Sequence, residues 1–251
     1  MNQSILSEIY QLLYQKFGPQ GWWPICDKQT GISVYRKNFF GKLSSTETFE
    51  IAIGAILTQN TTWKNAEKAI FSLKKNSILT PKSILSSPKK TLYKLIRSSG
   101  YYKQKTKKII EFCLWIQKNG GDLKRILGIK KGEILRNELL QINGIGRETA
   151  DSILLYAGYL PFFVIDAYTR RLYSRVFLDP TVYKYDELQN IFEKNIDKNF
   201  KTYMEFHALI VKLSKEYCFK FEPACEKCII SKYCKKGILY DKNKRKDRKL
   251  S

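Results

Sequence analysis

The chain of 251 residues carries 45 Lys and Arg against 23 Asp and Glu, a formal charge of +22. Hydrophobic residues at 43% and aromatics at 14% exclude an intrinsically disordered chain, and 14 Gly with 7 Pro exclude collagen-like and low-complexity classes. The length suits one large domain or two interleaved ones, and the basic surplus points to a polyanion, nucleic acid ahead of a membrane surface.

The first segment, Met1 to Phe17, lacks a basic start and includes Glu8, so it does not read as a signal peptide. Its Ile5, Ile9, Leu12, Leu13 and Phe17 fall at helical spacing. Ser44 with Glu47 forms a capping-box pattern that opens a helix to about Leu57. A second helix is predicted over Trp63–Lys74. Thr80-Pro81 and Ser87-Pro88 mark helix starts, and Gly100 and Gly120-Gly121 mark ends. Leu135–Ile142 and Arg147–Leu160 form a helix–turn–helix pair. Further helices are expected over Ala167–Val176, Tyr185–Asn195 and Lys201–Tyr217. No alternating strand run stands out, so the expected class is all-α. From Lys235 to Ser251 there are eight Lys or Arg and two Asp, which reads as a solvated, mobile basic tail. The longest uncharged stretch, Ser152–Ile165, is too short to span a bilayer. The expected location is a reducing cytoplasm, and a monomer is the default.

Three features carry chemistry. Cys218, Cys225, Cys228 and Cys234 follow a C-x6-C-x2-C-x5-C spacing over 17 residues. Four thiolates so placed suit zinc or an iron–sulfur cluster, and spacing alone does not separate the two. Cys26 and Cys113 lie apart and read as small buried hydrophobes. Between the paired helices stands Leu140-Gln141-Ile142-Asn143-Gly144-Ile145-Gly146-Arg147. Its glycines allow a tight turn, and the free N–H groups of the next helix suit a phosphate; a plain helix cap is the bland alternative. Twenty residues after Gly146, Asp166 ends the apolar run Leu160–Ile165. It is either a helix N-cap or a functional acid, or both. The sole histidine, His207, sits among apolar positions and reads as a core histidine.

Together the hairpin, Asp166 and the cysteine loop resemble the helix-hairpin-helix (HhH-GPD) DNA glycosylases of the endonuclease III superfamily, over about residues 44–234. The resemblance implies two helical domains with a DNA cleft between them. A six-helix barrel bearing the hairpin (about 135–160) would cover 41–164. An iron–sulfur domain would combine 1–40 with 165–235, its cluster loop being 218–234, and 236–251 would be the tail. It implies a [4Fe–4S] cluster on the four cysteines, Asp166 as the catalytic acid, and DNA contacts from the hairpin residues Asn143, Gly144, Ile145, Gly146 and Arg147 and from Lys220. Ile56–Thr61 resembles the segment whose glutamine, here Gln59, enters the gap left by an extruded base. Members with lyase activity carry a lysine eighteen residues before the aspartate; here that position is Glu148, and a carboxylate cannot form the Schiff base. Trp22-Trp23-Pro24 with Glu148 is similar to the 3-methyladenine branch, where an aromatic pocket takes an alkylated purine; core packing is the plainer role for the two tryptophans. The implied activity is base-excision repair: removal of a damaged base from double-stranded DNA near the nucleoid, without strand cleavage. A bifunctional glycosylase/lyase on oxidised pyrimidines, a non-catalytic iron–sulfur DNA-binding protein and an iron–sulfur redox protein are the competing readings.

Overall fold

The computed structural model describes residues 4–250 apart from Val182, with backbone alone for 243–250. Packing divides the chain into two compact units, Gly21–Leu160 and the combination of Met1–Gln20 with Pro161–Ser251. Helix α1 (Ile5–Phe17) belongs to the second of these and is described with it.

The unit Gly21–Leu160 opens with strands that the sequence did not announce, β1 (Ile25–Cys26) and β2 (Ser33–Val34), paired antiparallel. They are too short for an alternating pattern. Charged side chains from later helices fix them: Cys26 N donates to Glu50 at 2.6 Å and Ser33 N to Glu67 at 2.8 Å. Lys74 closes the network by bonding Glu50 and the Cys26 carbonyl. These links hold residues 21–40 in this unit, whereas the sequence grouped them with the N-terminal segment.

Helix α2 (Ser45–Leu57) is buried without interruption from Thr48 to Leu57, which makes it the central helix of its unit. Its start is set locally: Ser44 Oγ accepts from Glu47 N, and Glu47 accepts from Ser44 N. Around it lie α3 (Trp63–Lys75), α4 (Pro81–Ser86), α5 (Lys89–Leu95), a 3-10 turn at Arg97–Ser99, α6 (Tyr102–Lys118) and α7 (Leu123–Ile129). The unit ends in the hairpin pair, α8 (Gly132–Leu140) and α9 (Arg147–Ser152). The helix expected to run from Arg147 to Leu160 changes pitch: Ile153–Ala157 is a π-helical segment, fully buried.

The other unit packs α1 against α12, through Leu6, Ile9 and Leu13 on α1; its helices are α10 (Ala167–Phe177), α11 (Tyr185–Asn195), α12 (Phe200–Glu216) and α13 (Lys235–Leu250). Its core is aromatic: Phe163 stacks on Phe192 at 4.7 Å and meets Tyr203 edge-on. The tail expected to be mobile is instead helical over Lys235–Leu250, and it packs on α10. Lysine and arginine are good helix formers, so a high charge does not preclude a helix once its first turn is anchored, here by Ile238 N donating to Cys234 O. Ser251 lies outside the described residues. Among the described residues no helix is long and apolar enough to cross a membrane.

Candidate active site and DNA-binding elements

The hairpin is built from both ends. Arg136 on α8 grips Asp151 on α9 through two bonds, at 2.7 and 3.1 Å, and Asp151 is fully buried. Ile142 and Ile145 are buried and anchor the turn, while Asn143, Gly146 and Arg147 stay exposed. Gly144 has φ +90, and a Cβ there would meet the Lys108 side chain at 2.3 Å. Glycine is required on both counts. Gln59 reaches this turn from the end of α2. Its amide nitrogen donates to Gly144 O at 3.2 Å and to Thr149 Oγ1 at 2.8 Å, and its oxygen accepts from Lys108 Nζ. Glu148 is exposed in the first turn of α9, where its charge suits the helix dipole.

Trp22 and Trp23 sit in an aromatic cluster. Trp22 contacts Tyr35 and Trp63, and Trp23 contacts Trp63 and Tyr156, with ring centroids 5.2–5.9 Å apart. The Trp23 ring lies over α2 at Gly54, where a Cβ would come within 2.9 Å of its indole nitrogen. That N–H is buried with no acceptor among the described residues. Trp63 and Tyr35 were invisible as partners in the sequence, because nothing in spacing links residues 22, 35, 63 and 156.

Asp166 caps α10: its Oδ1 accepts from Thr169 N at 2.7 Å. Its Oδ2 lies 3.4 Å from His207 Nε2 on α12. Burial alone would raise its pKa, but His207 and the Thr169 bonds overcome that and leave the carboxyl below its ordinary value. The acid is therefore a nearly buried carboxylate held ionised, and its partner is His207, buried as expected of a satisfied core histidine. The N-cap and functional-acid alternatives are compatible in this geometry, since one oxygen caps and the other faces the imidazole.

The four cysteines line one small pocket, together with Leu172 and Tyr217. Burial raises the Cys228 thiol to about 11, with further upward push from Cys218, Cys234 and Cys225. Among the described residues no three Cys, His, Asp or Glu are drawn together as a single-ion site. Arg175 on α10 donates to Cys218 Sγ at 3.0 Å, to Phe219 O at 2.7 Å and to Lys220 O at 2.9 Å. It thereby orders the loop that carries exposed Lys220 and Phe221.

Comparison with known proteins places this constellation. The sequence model of the HhH-GPD superfamily base excision DNA repair proteins matches residues 53–198. The chain belongs to that family. A candidate DNA repair glycosylase of Methanocaldococcus jannaschii is 40% identical over 92% of this chain and 96% of its own length. Endonuclease III of Thermotoga maritima is 26% identical over 79% of this chain and 87% of its own. The crystal structure of the H. pylori 3-methyladenine DNA glycosylase bound to 1,N6-ethenoadenine superposes with a TM-score of 0.67 and 28% identity, covering 85% of this chain and 98% of that one. The all-α architecture of the glycosylase agrees with that neighbour. Family membership also removes the redox-protein reading: this is a DNA glycosylase, and DNA is its partner.

Proposed function

We propose that the glycosylase is monofunctional and releases an alkylated purine such as 3-methyladenine from duplex DNA. The observation that carries this is Glu148, exposed in the first turn of α9 at the position where lyase members carry their lysine, beside Asp166, a shielded carboxylate held below its ordinary pKa. The hairpin Asn143–Arg147 and Lys220 bind phosphates without reading sequence. The damaged nucleotide turns out of the stack, which costs less for a weakened base, and Gln59 fills the gap after exchanging its bonds to Gly144 and Thr149. An alkylated purine is often cationic and already a good leaving group. Stacked against Trp22 or Trp23 it gains about 0.5–2 kcal/mol. As the N-glycosidic bond breaks, Asp166 stabilises the positive charge growing on the sugar and orients the attacking water. The base departs with the bonding electrons, water adds to the sugar carbon and gives up one proton to Asp166 and then to solvent, and the strand stays intact. Glu148 supports this reading over a lyase, because neither it nor Arg147 offers an amine nucleophile. The 28% identical relative that acts on 3-methyladenine agrees with it.

Cys218, Cys225, Cys228 and Cys234 would hold a [4Fe–4S] cluster. The four cysteines line one pocket, and Arg175 supplies positive charge at Cys218. When bound, the cluster braces the Lys220 loop.

Duplexes bearing one alkylpurine or one oxidised pyrimidine separate the readings. Breakage of the alkylpurine strand only after hot alkali is expected. Breakage of the oxidised-pyrimidine strand without alkali, with borohydride trapping a covalent adduct, would replace this reading by the glycosylase/lyase of the endonuclease III kind.

A further inference from the structure

Lys105 is a misplaced cation by every local rule. It stands in the first turn of α6, at the positive end of the helix dipole, and only 2% of it is exposed. Among the described residues no carboxylate pairs with it. Burying an ammonium this way is unfavourable unless its donors are satisfied. Its Nζ donates to Leu57 O at 2.8 Å and to Ser99 O at 2.6 Å. Leu57 is the last residue of α2 and Ser99 the last of the Arg97–Ser99 turn, so Lys105 occupies two chain ends whose carbonyls carry the negative pole of their helices.

Each of these carbonyls leads within two residues into a turn. Two residues beyond Leu57 stands Gln59, followed by Asn60 at φ 52. Two residues beyond Ser99 stands Tyr101 at φ 45, with 65% of it exposed. One turn further along α6, Lys108 holds the oxygen of Gln59, whose nitrogen is bonded to Gly144 and Thr149 of the hairpin. Lys105 and Lys108 therefore tie three separate segments to one helix face: the Gln59 turn, the Gly100-Tyr101 turn and the hairpin. A hydrophobic residue would fill the space beneath α6 but would leave both carbonyls unmet.

We propose that Lys105 is a positioning residue for DNA interrogation: its ammonium staples the end of α2 to the Arg97–Ser99 turn and so sets the reach of Gln59 into the duplex. This rests on the reading that Gln59 enters DNA, and not on which lesion is excised. Desolvation, then repulsion from Lys108, hold the amine down at about 8, and Lys108 is the charged group acting on it. The staple therefore weakens as the pH rises through that value.

The test uses the full chain and a duplex with 2-aminopurine beside an abasic-site analogue, whose fluorescence reports unstacking. Lys105→Met, shown folded by circular dichroism, should bind this duplex about tenfold more weakly and lose most of the unstacking signal. Its salt slope should stay that of the wild type, because no phosphate contact is lost. Lys105→Arg, which keeps a charged donor, should recover part of the signal. Wild-type fluorescence should fall between about pH 7 and about pH 9, so that the idea is tested even where Lys105→Met does not fold. Normal unstacking in folded Lys105→Met, a flat pH response, or a slope smaller by about one would each overturn the staple, the last by making Lys105 a phosphate contact. Gln59→Ala is the reference: if it leaves unstacking unchanged, the reading of Gln59 fails and the staple fails with it, whereas a loss there without one in Lys105→Met refutes the staple alone.

Discussion

Asp166 can be tested cleanly because its two jobs use different oxygens. Asn caps helices as well as Asp does, so Asp166→Asn keeps the bond from Thr169 N and removes only the charge. The variant should fold and bind DNA while base release falls by about 10²–10⁴-fold in single-turnover assays. Near-normal release from a folded variant would remove Asp166 from the chemistry. The pH behaviour is set by the sign of the shift. The folded carboxyl lies below its unfolded value, so its contribution to stability is present above about pH 3.9 and is lost as the pH falls through the lower folded value. His207→Gln removes the imidazole that opposes the effect of burial on Asp166 and should move this acid-side loss to higher pH, as read from urea midpoints across pH. An unmoved profile would mean that the Thr169 bonds alone set the carboxylate. His207 shows what one sequence withholds: the aspartate was legible as a charge ending an apolar run, but its partner is on another helix and looks like ordinary core.

At the scale of elements, local codes read well and long-range ones did not. The capping box at Ser44 and the glycine turn at Gly144 are written within a few residues, and the structure has both. The β1–β2 pair is held by Glu50, Glu67 and Lys74 from distant helices, and the π-helical turn at Ile153–Ala157 leaves no periodic trace. The cysteine loop is intermediate: its spacing marked four candidate ligands, whereas Arg175, which bonds Cys218 and two loop carbonyls, was unforeseen. Arg175 holds residues 218–220 from α10. Purified protein is thus expected to contain iron and sulfide in equal amounts, and stripping the iron should open the loop. Trypsin would then cut first at Lys220 or Lys227, and DNA affinity would fall. Unchanged proteolysis and binding in iron-free protein would show that Arg175 and packing suffice without a cluster.

At the scale of the whole molecule the +22 charge becomes a measurable slope. Each phosphate neutralised by Lys or Arg releases counterions, and about 6–10 such contacts lower affinity roughly 10³–10⁵-fold between 50 and 200 mM salt. The two proposed classes of DNA contact differ in this respect. Lys220 carries a charge, so Lys220→Ala should weaken binding to every sequence alike and reduce the slope by about 0.9. The hairpin offers neutral backbone N–H groups, so Gly144→Ala, which forces a Cβ into Lys108 and strains a positive φ, should weaken binding with the slope unchanged. Titrating undamaged duplex at several salt concentrations with the two variants separates them. Equal slopes for wild type and Lys220→Ala would move the phosphate contacts away from the cysteine loop, and a flat response in the wild type would mean that the basic surplus serves something other than DNA.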